Sequence, residues 1–253
     1  MDFFSRLIDR MFLNTPDTDK FAPEVVFEIP ENALTEALHI ANAPVKSTVT
    51  TTWVIIAALA VFSWLATRNF KEEPEAGSLQ NFVGALIESI QALVKSTMGE
   101  GMQKFTPYIG TLMIYLTIGN LMGLVPGKDI FRLYTPTADL NTTFALAAIT
   151  FLCIHYFGIK SKGIGTYLKD YFEPLPFMFP LNLIGNLADP MSLAFRLFGN
   201  MLGGGVVIMG LLYAVVGLGI PGIADLYFTV FAGVLQAFIF AMLTMTYISM
   251  EME

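Results

Sequence analysis

Cysteine and histidine are almost missing from this sequence. Its 253 residues include a single cysteine, Cys153, and two histidines. One cysteine cannot form a disulfide within the chain and cannot supply a cysteine-rich metal site. Two histidines leave little material for a histidine-based metal centre. We therefore expect this chain to hold neither a metal nor a cofactor.

Charged residues are also scarce. They make up 14% of the chain, compared with about 25% in ordinary soluble domains. The 14 lysines and arginines are dispersed along the sequence, whereas nucleic-acid-binding proteins cluster such residues on one face. The phosphate-binding pattern GxxxxGK[ST] is absent. The sequence therefore predicts no nucleic-acid partner and no ATP chemistry within this chain.

Apolar residues are abundant: they form 55% of the chain, and the mean hydropathy is +0.62. The run TTWVIIAALAVFSWLAT at 51–67 nearly spans a hydrocarbon core of roughly 30 Å as a helix. Two further spans are predicted at about 105–125 and 141–159. In 79–98, apolar and polar side chains occupy opposite helix faces, which predicts an amphipathic helix on the membrane surface with Ser78 as its N-cap.

The C-terminal part predicts a helical hairpin. Three prolines in PLPFMFP at 174–180 prevent regular helix until roughly Leu181. The helices expected at 181–216 and 223–250 both exceed the bilayer thickness, and GLGIPG at 217–222 favours a turn. We predict a strongly tilted hairpin over 181–250, kinked at Pro190. The fold class is thus all-α integral membrane protein, with about five membrane helices plus the surface amphipathic helix.

The distribution of basic residues predicts the orientation. Segments 68–104 and 160–173 together hold seven lysines and arginines, while 126–140 and 217–222 hold two. The positive-inside rule places the first pair in the cytoplasm, hence the N-terminus outside and the C-terminus inside. We expect 1–47 to be an extracytoplasmic leader and 48–253 to be the membrane domain.

One arginine lies in the most apolar part of the hairpin. A charge at the bilayer centre costs about 2.5 to 3.5 kcal/mol on insertion scales, so such residues usually line ion paths or meet charged partners. This residue is Arg196. On a helix it shares one face with small and polar residues, namely Ser192, Gly199, Asn200 and Gly203. The alternative is ordinary GxxxG-type helix packing, with the arginine satisfied by carbonyls or by Asp189.

A polar stripe marks the last helix. It consists of Asp225, Thr229, Gly233 and Gln236, at spacings of three to four residues. In a closed hairpin this stripe faces the arginine strip, and the two form a polar seam able to carry water and ions. The alternative is an interfacial Asp225 and a Gln236 that bonds a neighbouring helix. Three more residues have simpler expectations: an interfacial or helix-packing role for His155 rather than a pH-sensitive one, and solvated loop charges for Asp129 and Asp139 rather than a role in concentrating cations.

Two motifs carry a family resemblance. DPMSLAFRLFGNMLGG at 189–204 and LQAFIFAMLTMTYISM at 235–250, supported by NLMGLVPG at 120–127, resemble the a subunit of F-type ATP synthases. The resemblance implies a non-catalytic stator of a rotary ion motor in the bacterial cell membrane, with the c-subunit ring and the b-subunit stalk as partners. It implies that Arg196 faces the c-subunit carboxylate, with Asn200 and Gln236 nearby, and that the glycines keep the ring close.

The chain departs from the family pattern at the outer ion path. Many relatives carry a glutamate nine residues after the arginine, where this chain has Gly205, and some carry His or Glu at the position of Thr229. Either Asp225 replaces the missing acid, or the coupling ion is Na⁺, which needs oxygen ligands rather than titrating groups. The proton is favoured because it is the commoner ion in the family.

Two other functions remain as alternatives. A stand-alone secondary transporter would use Arg196 to bind an anionic substrate, but the first half of the chain shows no inverted repeat of the Arg196 segment. A purely structural assembly subunit predicts that Arg196→Ala leaves ion flux intact.

Overall fold

The computed structural model describes residues 25–28, 44–68, 78–125, 133–172, 175, 177, 179–201 and 227–252. In these segments the chain is almost entirely helical. Its regular elements are β1 (Val25–Glu28), β2 (Pro44–Lys46), α1 (Ser47–Thr67), α2 (Leu79–Met98), α3 (Thr106–Leu121), α4 (Leu140–Lys162), α5 (Ile164–Asp170), α6 (Phe179–Met201) and α7 (Gly233–Met252).

Four helical stretches in the described part of the chain are long and apolar enough to cross a membrane. They are Ser47–Thr67, Glu100–Leu124, Leu140–Lys162 and Thr229–Met252. The first three correspond to the spans predicted at 51–67, 105–125 and 141–159, and the fourth is the second hairpin arm. The all-α membrane fold class is confirmed. The predicted turn at 217–222 and the rest of 202–226 lie outside the described residues.

At the start of helix α1, threonine hydroxyls form hydrogen bonds with backbone carbonyls of the same helix. The hydroxyl of Thr51 donates to the Ser47 carbonyl at 2.8 Å, and that of Thr52 donates to the Thr48 carbonyl at 2.9 Å. These bonds inside the helix leave few polar groups to face lipid. Beyond them, α1 exposes apolar side chains such as Trp53 and Trp64. Ahead of α1, β1 and β2 pair as an antiparallel ribbon, which the sequence analysis did not foresee.

Helix α2 has the predicted cap. The Asn81 backbone N–H donates to Ser78 Oγ at 3.2 Å, and the helix ends at Gly99, whose φ of 96° suits glycine. The inward face of the helix carries Ile90, Val94 and Met98, which are buried, while most other side chains of α2 are exposed.

Helix α7 is at the centre of the bundle. It packs against α3, α4 and α6, and its buried residues belong to two apolar clusters. Ala241, Met245 and Ile248 join residues of α2, α3 and α4, while Ala237 and Phe240 join Leu112, Leu116, Leu193 and Leu197. Because lipid is as apolar as these side chains, close van der Waals fit holds the helices together. The second cluster positions α6 against α7.

Helix α6 begins at Phe179, two residues before the predicted start. Pro180 is tolerated because it lies in the first turn, where backbone N–H groups have no helical partner. The helix continues through the buried Pro190, which removes one backbone hydrogen bond without ending it. The charged segment 160–173, which the sequence analysis treats as a connection between membrane helices, contains the short helix α5.

Candidate functional site

The arginine strip of α6 is exposed. Ser192, Arg196 and Gly199 face outward, while Leu193 and Leu197 are buried against the rest of the chain. A Cβ placed on Gly199 would meet nothing within 4 Å. The strip is therefore open along these residues and is not used for packing within the described chain. Gly203, the last predicted member of the strip, lies outside the described residues.

Arg196 forms no hydrogen bond or ion pair with any described residue. The predicted alternative, in which Asp189 neutralises the arginine, is not observed in this part of the structure. Asp189 and Arg196 are both close enough to Tyr247 of α7 to interact with it electrostatically. The α6–α7 interface therefore lies beside both charged residues. Within the described part of the chain, no carboxylate or carbonyl compensates the guanidinium.

Asn200 points away from the open strip, toward the second hairpin arm. It is half-buried, and its Nδ2 donates to the carbonyl of Ala232 at 3.3 Å. This bond connects the C-terminal end of α6 to the residue that precedes α7. An amide can donate such a bond between the two arms, whereas an apolar side chain cannot.

The stripe of the last helix faces α3 as well as α6, which corrects the simple picture of two facing strips. A Cβ on Gly233 would lie 3.1 Å from Asn120 Cβ, and a Cβ on Gly123 would lie 3.3 Å from the Thr229 methyl group. Gln236 is 5% exposed, and its Nε2 has no hydrogen-bond partner among the described residues. Asp225 lies outside the described residues.

A π-helical turn, Phe228–Ala232, precedes α7. Such wide turns are rare and often occur at functional sites. The turn contains Thr229 and ends just before Gly233, so it lies inside the predicted polar stripe. The change of helical pitch sets the direction of the side chains that follow it.

Asn120 is a site residue that the sequence analysis missed. It is fully buried near the end of α3, where Nδ2 donates to the Gly233 carbonyl at 2.7 Å and Oδ1 accepts from Thr137 Oγ1 at 2.6 Å. An amide in an otherwise apolar span was the available signal, because such groups are placed in membranes only where partners exist.

Asp139 is buried, so the expectation of a solvated loop charge was wrong for this residue, and Asp129 lies outside the described residues. It is the N-cap of α4: Oδ1 accepts from the Asn141 backbone N–H at 3.0 Å, and Oδ2 accepts from Thr48 Oγ1 at 2.9 Å. Lys46 Nζ lies 3.8 Å from the same Oδ2. Capping and the nearby ammonium stabilise the carboxylate, and the contacts fasten the start of α1 to the start of α4.

A second polar cluster lies at the other end of α6. The Tyr171 hydroxyl accepts from Asn186 Nδ2 at 2.9 Å and contacts Tyr167 Oη at 3.2 Å and His155 Nε2 at 3.3 Å. Asn186 Nδ2 also lies 3.3 Å from Glu251 Oε1. Burial raises the pKa of the Tyr167 phenol, so this hydroxyl stays protonated and can donate. His155 thus has the packing role expected of it.

Comparisons with known proteins show the family of this chain. The family model described as ATP synthase A chain matches residues 49–249. The chain is 38% identical over 248 residues to the sodium-ion-specific ATP synthase subunit a of Propionigenium modestum, covering 89% of this chain and 83% of that protein. It is 39% identical over 220 residues to ATP synthase subunit a 3 of Pelobacter propionicus (85% and 91% covered). It is 38% identical over 224 residues to ATP synthase subunit a of Geobacter sulfurreducens (87% and 93% covered).

Proposed function

Because this chain belongs to the ATP synthase A chain family, we propose that Arg196 is the residue through which it couples ion flow to rotation of a c-subunit ring. The chain is a multi-pass protein of the bacterial membrane and works as the stator subunit of the Fo sector. In the proposed arrangement Arg196 faces the carboxylate of each c subunit in turn. The b-subunit stalk holds the stator still.

The observation that carries the proposal is the exposure of Arg196 without a partner among the described residues. Its cost in a membrane, about 2.5 to 3.5 kcal/mol on insertion scales, requires compensation. A carboxylate on another chain supplies it. Ser192 and Gly199, with Gly203, are the proposed packing surface for the ring, because small side chains let helices approach closely.

The chemistry follows from opposite charge at short range. A carboxylate in a low-dielectric site prefers its neutral or ion-bound form, but an arginine within about 4 to 6 Å favours the ionised form. Arg196 therefore promotes release of the bound ion as each c subunit reaches it. Its guanidinium cannot relay protons, because its pKa exceeds about 12. The arginine also blocks direct leakage between the two half-channels.

The ion path to the carboxylate is proposed along the polar side chains of the hairpin. Asn200, Thr229 and Gln236 belong to it, with Asp225 in place of the missing glutamate. The unpartnered Nε2 of the buried Gln236 supports this assignment, because a buried amide without a partner costs about 1 to 3 kcal/mol and water in a channel would satisfy it. The N-terminus is placed outside and the C-terminus in the cytoplasm.

We propose H⁺ as the coupling ion. Na⁺ is the second candidate, favoured by similarity to the sodium-ion-specific subunit of Propionigenium modestum and by Gly205 at the position of the usual acid. Each elementary charge that crosses 100 mV supplies about 2.3 kcal/mol, so several ions are needed per ATP with either ion.

Replacement of Arg196 tests the proposal. We expect Arg196→Ala to assemble into the ATP synthase and to lose ATP-driven ion transport, because the c-ring carboxylate no longer meets a cation. Transport into membrane vesicles is measured at matched subunit levels. Arg68→Ala is the control, because Arg68 lies at the end of α1, above the Trp64 ring. Normal coupled transport in Arg196→Ala would refute the proposed role.

A further inference from the structure

Two asparagine side chains from different helices bind adjacent carbonyls at the start of α7. Asn120 of α3 donates to the Gly233 carbonyl at 2.7 Å, and Asn200 of α6 donates to the Ala232 carbonyl at 3.3 Å. Both carbonyls lie where the π turn Phe228–Ala232 passes into regular α-helix. The junction is therefore fixed by two neighbouring helices.

The α3 contact is the more constrained of the two. Asn120 is 0% exposed, and its Oδ1 accepts from the buried Thr137 at 2.6 Å, which fixes the orientation of the amide. The absence of a side chain at Gly233 permits the contact, since a Cβ there would lie 3.1 Å from Asn120 Cβ. A fully buried amide with both ends satisfied has one favourable position.

Gln236 lies one turn beyond the held carbonyl. The π turn changes the rotation per residue, so the direction of Gln236 depends on where the wide turn ends. The next residues, Ala237 and Phe240, pack against Leu193 and Leu197 of α6. A change at Gly233 is therefore transmitted to the packing of α7 against the helix that carries Arg196.

We propose that Asn120 is a positioning residue for ion translocation: it holds the Gly233 carbonyl and thereby sets the placement of Gln236 relative to the Arg196 helix. The inference rests on the proposed function of Arg196. Thr137 has a supporting role, because it orients the Asn120 amide. Neither residue touches the translocated ion.

The test uses the whole ATP synthase in membrane vesicles. Asn120→Leu keeps the branching of the side chain at Cγ and removes both hydrogen bonds. We expect it to lower ATP-driven pumping per assembled complex by roughly ten- to hundredfold, the loss typical of small misplacements at a working site. Thr137→Val, which removes only the orienting bond, is expected to lower it by about fivefold.

The pH profile separates positioning from general destabilisation. A misplaced seam weakens the effect of Arg196 on the partner carboxylate, whose pKa then rises. The acid limb of the pumping profile should therefore move to higher pH in both variants. Thr143→Val is the control, because Thr143 is also buried but donates only to Leu140 of its own helix, at 3.0 Å. It should leave the profile unchanged.

Each outcome is decisive. Wild-type pumping per complex in Asn120→Leu, or reduced pumping without the pH shift, overturns the inference. If Asn120→Leu does not assemble, Thr137→Val decides: a pH shift absent from Thr143→Val supports the inference, and identical behaviour of the two valine variants overturns it. Arg196→Ala is measured in parallel, and its normal pumping would refute the proposed function itself.

Discussion

Gly199 lies on the exposed strip of α6, one turn after Arg196, with open space where a side chain would be. If this space receives the c ring, a bulky residue there should separate the arginine from its carboxylate. We expect Gly199→Leu to leave the chain folded, because leucine favours helix more than glycine does. We expect it to abolish ATP-driven ion transport or co-purification of the c ring, measured on the affinity-purified complex.

A glycine elsewhere provides the control. Gly84 of α2 also has nothing within 4 Å of a Cβ, but it lies on a helix without the arginine strip. Gly84→Leu should therefore retain both c-ring recovery and coupled transport. If Gly199→Leu were as active as Gly84→Leu, the strip would not be the surface that packs against the ring.

Single residues differ in how well the sequence predicts them. Arg196 was evident because a charge in an apolar run has few explanations. Asn120 and Asp139 were not, because their roles depend on partners far along the chain: Gly233 is 113 residues from Asn120, and Thr48 is 91 residues from Asp139. Spacing within one segment does not identify such partners.

The Tyr171 hydroxyl is one of the groups that hold the N-terminal half of helix α6. Tyr171 Oη accepts from Asn186 Nδ2 at 2.9 Å and contacts Tyr167 Oη at 3.2 Å. Tyr171→Phe keeps the ring contact with Tyr167 but removes these bonds. We expect a loss of about 1 to 2 kcal/mol of stability, because the buried Tyr167 hydroxyl and the part-buried Asn186 amide both lose a partner. The measurement is the thermal midpoint at which the purified complex loses this subunit.

Tyr156 of α4 is the matched control for that variant. Its side chain is 58% exposed, and its ring contacts Phe157 and Lys160 without a hydroxyl hydrogen bond to a described residue. Tyr156→Phe should leave the thermal midpoint unchanged. Equal midpoints for the two phenylalanine variants would show that the Tyr171 hydroxyl does not anchor α6.

Elements were predictable where one segment contains its own signal. The long apolar runs predicted the membrane spans, and Ser78 ahead of an amphipathic pattern predicted the N-cap of α2. The short helix α5 and the β1–β2 ribbon were missed. For α5 the signal is a tertiary contact rather than local propensity: Tyr167 lies so close to Gly158 of α4 that a Cβ added there would be 2.7 Å from its ring.

The whole molecule exposes the cation Arg196 on α6 and has few acids along its described membrane helices. Asp139, the acid at the start of α4, already bonds Thr48 and Asn141, so it is engaged in structure. Under the proposed function, the ion path then depends on Asp225 as a relay, or on a hydrated passage for Na⁺. The two possibilities differ in what the assembled motor transports.

The coupling ion is measured as ATP-driven uptake into vesicles that carry the whole complex. With H⁺ as the coupling ion, we expect acidification that a protonophore abolishes and no uptake of ²²Na⁺, because protons then carry all the charge. A pH-sensitive dye and the isotope are followed in the same preparation, with Arg196→Ala vesicles as the uncoupled control. Uptake of ²²Na⁺ that persists or rises with protonophore would contradict the proton assignment. Sodium would then account for Gly205 at the position where the family resemblance leads us to expect a glutamate, since Na⁺ needs oxygen ligands rather than a titrating relay.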